Sequence, residues 1–106
     1  MNLELHLAKD FGTFLAEGAQ AATYRLQKIE PFFHVYDAII LDFAGVRNIN
    51  SSFANALISP LIAQYGKGAL QKLRFRHCNA VVRILIEGAL SLGTQQADAA
   101  GKSLAV

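Results

Sequence analysis

Residues 2–7 alternate without exception, with Leu3, Leu5 and Leu7 on one side of an extended chain and Asn2, Glu4 and His6 on the other. A period of two is that of a strand with one buried face. Asp and Gly in the stretch from Ala8 to Gly12 predict a loop. From about Glu17 to Phe33 the spacing of Ala22, Leu26, Ile29 and Phe33 predicts an amphipathic helix. Pro31 lacks an amide hydrogen and crowds the preceding turn, so that helix should kink or restart near Glu30. Residues 37–43 are apolar on both alternating faces up to Asp42, the pattern of a central strand.

Helical spacing returns from about Ser52 to Tyr65 through Phe53, Ala54, Leu57, Ile58, Leu61, Ile62 and Tyr65. Pro60 should interrupt this second helix, and Gly66 and Gly68 should stop it. From Leu70 to His77 alternation resumes, with Leu73 and Phe75 on one face and Lys72, Arg74 and Arg76 on a wet one. Asn79 is suited to cap a last helix reaching about Leu92, where Gly93 would end it. Polar residues at 79, 83, 87 and 91 draw one narrow stripe along that helix.

The order β-α-β-α-β-α implies right-handed crossovers and a small, mostly parallel sheet. Because the first and third strands each have a wet side, the helices should pack mainly on one face. The fold class is therefore a two-layer α/β domain spanning residues 1–96, followed by a flexible tail over 97–106. A further edge strand around Phe11 to Leu15 fits the pattern as well. In the tail, Gly101-Lys102-Ser103 looks like the end of a phosphate loop but lacks the upstream glycine and strand.

Composition narrows the function. A chain of 106 residues has room for one layered core, and 53% hydrophobic against 17% charged residues is the composition of a folded domain. A net charge of +2 creates no field that implies nucleic acid or an anionic membrane. The first seven residues lack the basic start and apolar run of a secretory signal, so a cytoplasmic location is expected. The most apolar stretch, Ala80 to Leu92, contains Arg83 and Glu87 and falls short of the ~18 residues of a membrane span. Cys78 has no disulfide partner and, with three scattered histidines, makes no four-ligand zinc site, so neither metal nor other cofactor is expected.

Candidate chemistry concentrates between the central strand and the second helix, because sites in open α/β sheets lie beyond the carboxyl ends of strands. Asn50, Ser51 and Ser52 open a helix there. They can serve as caps, or Ser52 can carry a phosphate held by free amides at the positive helix end. The run Ile40-Leu41-Asp42-Phe43-Ala44-Gly45-Val46, followed by Ile49-Asn50-Ser51-Ser52-Phe53-Ala54, resembles the STAS-like family of bacterial domains related to anti-sigma-factor antagonists. The likeness extends through Lys72-Leu73-Arg74-Phe75 and the last helix, and more weakly back to Tyr24-Arg25.

This resemblance implies a small α/β domain that binds a regulatory protein, commonly an ATPase-like serine kinase of the anti-sigma-factor type. In the better-known antagonists the second hydroxyl residue after the strand is phosphorylated, which corresponds to Ser52. Asn50 stands where those antagonists usually have Asp, and Phe53 where they have Gly. The Ser-Ser-Phe form looks like the divergent group of the family. Asn50, Ser51, Ser52 and Phe53 are accordingly the candidate partner-binding residues, in a protein expected to be no enzyme.

Two other chemistries have carriers. Lys72, Arg74 and Arg76 could contact nucleic-acid phosphates, although no aromatic residue interleaves them for base stacking. Cys78 precedes a helix start, which can lower a thiol pKa, but His77 beside it on a strand would point the other way. Asp42 could ligate a cation, yet in the sequence it is one carboxylate without companions. Two of the predicted helices are apolar around most of their circumference, so either they pack against each other and the sheet or an apolar helix face meets another chain, a second copy of this one included.

Overall fold

Strict alternation makes Asn2–His6 a strand, β1, in the computed structural model, which describes residues 1–99. The expected loop after it is instead a five-residue helix, α1 (Leu7–Phe11), closed where Gly12 turns to φ 82° and its amide donates to the Ala8 carbonyl at 2.7 Å. A two-residue strand, β2 (Phe14–Leu15), lies where the further edge strand was expected.

The next helix does not run to Phe33 as one piece. It comprises α2 (Gly18–Tyr24), a wide π turn over Arg25–Ile29 and a 3₁₀ turn over Glu30–Phe32 that holds Pro31. The π turn inserts one extra residue, so the buried positions are Ala21, Tyr24, Ile29 and Phe33, and Leu26 is 55% exposed. The expected face thus shifts phase, and the irregularity begins five residues before Glu30.

The central strand β3 (Ala38–Asp42) is followed by β4 (Asn48–Ile49) and α3 (Ser51–Tyr65). Helix α3 is continuous through Pro60, correcting the expected interruption. Proline lacks the amide that would bond the carbonyl of Ala56, and the Arg25 Nε donates to that carbonyl at 2.9 Å instead. That bond ties the π turn to the middle of α3, and the same guanidinium pairs with Glu30 of the 3₁₀ turn.

Residues 70–72, expected to begin the third strand, belong instead to a short helix, α4 (Lys67–Lys72), before β5 (Leu73–Arg76). Ala69 and Leu73 are the buried residues there, four apart, and Leu70 is exposed, which is helical rather than alternating burial. The last helix, α5 (Ala80–Ala99), passes through Gly93 instead of ending at it. Residues 97–99, expected in the tail, continue this helix, with Ala97 fully buried. The rest of the expected tail, with Gly101-Lys102-Ser103, lies outside the described residues.

Strands β1, β3 and β5 form a parallel sheet in the order β1-β3-β5, and β2 and β4 make a separate parallel pair. Register places His6 beside Asp42 and Asp42 beside Arg76. One sheet face, with Ile39, Leu41 and Leu73, enters a core shared with Leu57, Ile58, Leu61 and Ile62 of α3 and Val82, Ile86 and Ala89 of α5. The other face carries Glu4, His6, Arg74 and Arg76 at the surface. The fold is the expected α/β type, a small parallel sheet with helices on one side. No helix among the described residues is long and apolar enough to cross a membrane.

Candidate functional site

The start of α3 is set by the parallel pair β2 and β4. Parallel neighbours emit their following helices from the same end, so α2 and α3 begin side by side. Asn50 joins them: its amide donates to the Leu15 carbonyl at 3.0 Å and its Nδ2 to the Ala16 carbonyl at 2.8 Å. Its Oδ1 accepts from the Phe53 amide at 2.9 Å, and its carbonyl accepts from the Ala54 amide at 3.1 Å. Asn50 is thus the helix cap, with both ends of its carboxamide engaged.

Ser51 and Ser52 occupy the first two helical positions and are exposed. The cap takes the amides of Phe53 and Ala54, so those of Ser51 and Ser52 remain at the positive end of α3. Ser52 lies against the first residue of α2. A Cβ on Gly18 would come within 2.5 Å of the Ser52 Oγ and 3.2 Å of its carbonyl oxygen, so a side chain there would force the serine hydroxyl to turn and the two helix starts slightly apart.

Phe53 turns inward and is fully buried. Its ring meets Phe11 edge-on at 5.1 Å, and Phe11 packs on Tyr24 at 5.0 Å. The Tyr24 hydroxyl donates to Asp10 Oδ2 at 2.9 Å; burial foremost, then this carboxylate, pushes the phenol well above its ordinary pKa. Along α2, an open groove of about 510 Å³ is lined by Phe11, Ala19, Gln20, Thr23, Tyr24 and Gln27, among others. Of the four residues singled out in the sequence, Ser51 and Ser52 therefore form the surface, Asn50 holds it, and Phe53 supports it from below.

Of the basic residues of the expected third strand, Arg74 and Arg76 share the open sheet face and Lys72 lies apart from them. Lys72 ends α4, where its Nζ donates to the Phe33 carbonyl and lies 5.2 Å from the centre of that ring. Arg74 donates to the carbonyls of Gln71 and Leu73, and Arg76 pairs with Glu4 at 3.2 Å across β3. Cys78 is half-buried; burial pushes the pKa of its thiol up, against the nearby Arg83.

Asp42 does have companions. It is 5% exposed at the carboxyl end of β3, with His77 Nδ1 2.9 Å from its Oδ1 and His6 Nδ1 3.5 Å from its Oδ2. The Ala44 amide, donating to Oδ1 at 2.9 Å, holds the carboxyl below its ordinary value against the effect of burial, and His77 adds to this. Glu4 Oε1 lies 3.9 Å from His6 Nε2. His77 takes φ 59°, rare for a residue with a side chain, and so brings its ring back over the strand end. The sequence signal was the alternation that put Glu4 and His6 on one face; only the register of β1 against β3 adds Asp42 to them.

Residues 21–83 match the family described as a STAS-like domain of unknown function (DUF4325). The chain belongs to this STAS-like family. The matched segment contains the whole start of α3, together with Asp42 and His77, whereas Glu4 and His6 precede it. No curated protein and no solved structure significantly matches the chain.

Proposed function

We propose that this STAS-like domain is a non-enzymatic, cytoplasmic regulatory module that binds a partner protein through the start of α3 and the adjoining groove on α2. Ser52 is its switch residue. The observation that carries this reading is the exposure of Ser52 beside unspent amides at the head of a 15-residue helix, over a rigid aromatic support. A phosphate there would add about −1.5 to −2 charges to a surface that is otherwise neutral hydroxyl and amide, enough to repel a partner fitted to the free serine. The likeness to anti-sigma-factor antagonists points to an ATPase-like serine kinase as both partner and modifying enzyme.

Affinity purification from the native host, with mass spectrometry reading co-purifying proteins and phosphate on Ser52, tests both halves. A kinase-like ATPase together with phosphate on Ser52 is the expected result. Substituting Ser52→Asp should weaken the captured partner at least about tenfold, or ~1.4 kcal/mol, with an unchanged circular dichroism spectrum. A variant that binds as tightly as the parent protein overturns the assignment of Ser52.

A further inference from the structure

We propose that Glu4, His6 and Asp42 form a binding site for a zinc-class divalent cation on the open face of the sheet, with His77 as a positioning residue. The proposal does not depend on the reading of Ser52. One oxygen or nitrogen from each of the three residues lies within 4.8 Å of the others. Tetrahedral ligands bonded at about 2.0–2.2 Å stand roughly 3.3–3.6 Å apart. His6 Nδ1 and Asp42 Oδ2 already satisfy that spacing at 3.5 Å. Glu4 is half exposed; its Oε1 lies 3.9 Å from His6 Nε2, the other ring nitrogen, so its side chain must swing toward Nδ1 to close the triangle.

The backbone holds this set on strands. Glu4 and His6 are two apart on β1, and His6 is the register partner of Asp42 on β3. Asp42 Oδ1 is occupied by the Ala44 amide and His77, which leaves Oδ2 as the oxygen turned to His6. One imidazole and two carboxylates suit zinc and its transition-metal neighbours; calcium takes more oxygens and magnesium rarely an imidazole. Three protein ligands leave a coordination position for water or for a group offered by a partner. Arg76 opposes the ion, because its guanidinium rests on Glu4 Oε1 at 3.2 Å and competes with a metal for that carboxylate.

The test titrates chelator-treated full-length protein with Zn²⁺ by calorimetry and with Co²⁺ by visible absorption. One equivalent should bind, with the intense Co²⁺ bands of a four-coordinate site. His6→Gln and Glu4→Gln, at half-exposed positions that leave the fold intact, should each weaken binding at least about tenfold. Arg76→Met should tighten it, and His34→Gln, away from the cluster, should leave it unchanged. His77→Gln should weaken binding and shift the Co²⁺ spectrum; an unaltered spectrum and affinity would remove His77 from its positioning role. Absence of saturable one-to-one binding, or binding that survives His6→Gln, overturns the site.

Discussion

Gly93 and Gly88 lie on the same helix and differ in what an added methyl group would meet. At Gly88 a Cβ has no neighbour within 4 Å, whereas at Gly93 it would come within 2.6 Å of Ile62 Cβ and 2.8 Å of the Ser59 carbonyl oxygen. Replacing a helical glycine by alanine gains about 0.8–1.0 kcal/mol of helix propensity at either place. At Gly93 the atoms struck are a Cβ and a backbone oxygen, which cannot rotate aside, so α3 and α5 must move apart. Overpacking of this kind costs about 1–3 kcal/mol. Separation also strains the buried Ser59 Oγ hydrogen bond to the Ala89 carbonyl, 2.8 Å long and one turn away, worth about 1 kcal/mol. Gly88→Ala should therefore raise stability by somewhat less than about 1 kcal/mol, and Gly93→Ala should lower it by about 1–3 kcal/mol. Urea denaturation followed by circular dichroism, with equal slopes for the three proteins, reads the difference directly. A Gly93→Ala protein as stable as Gly88→Ala would refute the close α3–α5 contact and the account of why the helix continues through this glycine.

Two further predictions concern groups whose titration is displaced. Tyr24 has its pKa raised on folding, so its contribution is complete below the unfolded value near 10 and declines as pH rises above it, when only the unfolded phenol ionises. Stability should fall between about pH 9 and pH 12 less steeply in Tyr24→Phe than in the parent protein, and that variant should lose about 1 kcal/mol at pH 7 with the bond to Asp10; parallel pH dependences would contradict the assignment. Cys78, with its thiol pushed up by burial, should react with iodoacetamide at pH 7 more slowly than an unfolded control, and equal rates would revive it as a nucleophile.

Where local periodicity and tertiary packing agree, the elements could be read from the chain. The alternation of residues 2–7, the doubly apolar run before Asp42 and the caps at Asn50 and Asn79 each name their own structure. Both caps accept the amide three residues ahead, from Phe53 and Val82, at 2.9 Å. The misreadings arise where a distant partner decides. Pro60 is harmless because Arg25, thirty-one residues away from Ala56, takes the carbonyl left over. Gly93 is a stop signal in isolation and a contact surface once α3 lies against it. The π turn has no composition signal, and its extra residue defeats a reading based on a constant helical period.

The same distinction separates the two surfaces. Ser52 was legible because a cap, a helix start and a strand end lie consecutively in the chain. The cluster around Asp42 draws on β1, β3 and the residue that follows β5, and no spacing along one strand predicts that His6 and His77 reach opposite oxygens of a single carboxylate. Register and the positive φ of His77 bring it about. The two surfaces also depend on different supports: the start of α3 on the β2–β4 pair and Gly18, the cluster on β1 against β3. Changes at Gly18 should therefore disturb the helix-start surface while leaving the sheet face intact, and changes at Glu4 the reverse. Both supports meet at β3 and the loop that follows it, where Asp42 ends the sheet and Val46 receives Asn79 at the start of α5. That shared segment lies within the residues matched to the family, whereas two of the three proposed cation ligands lie before them. Partner binding at α3 is thus a property to seek across STAS-like relatives, and cation binding one to seek in chains that pair a Glu-x-His strand with the strand ending in Asp.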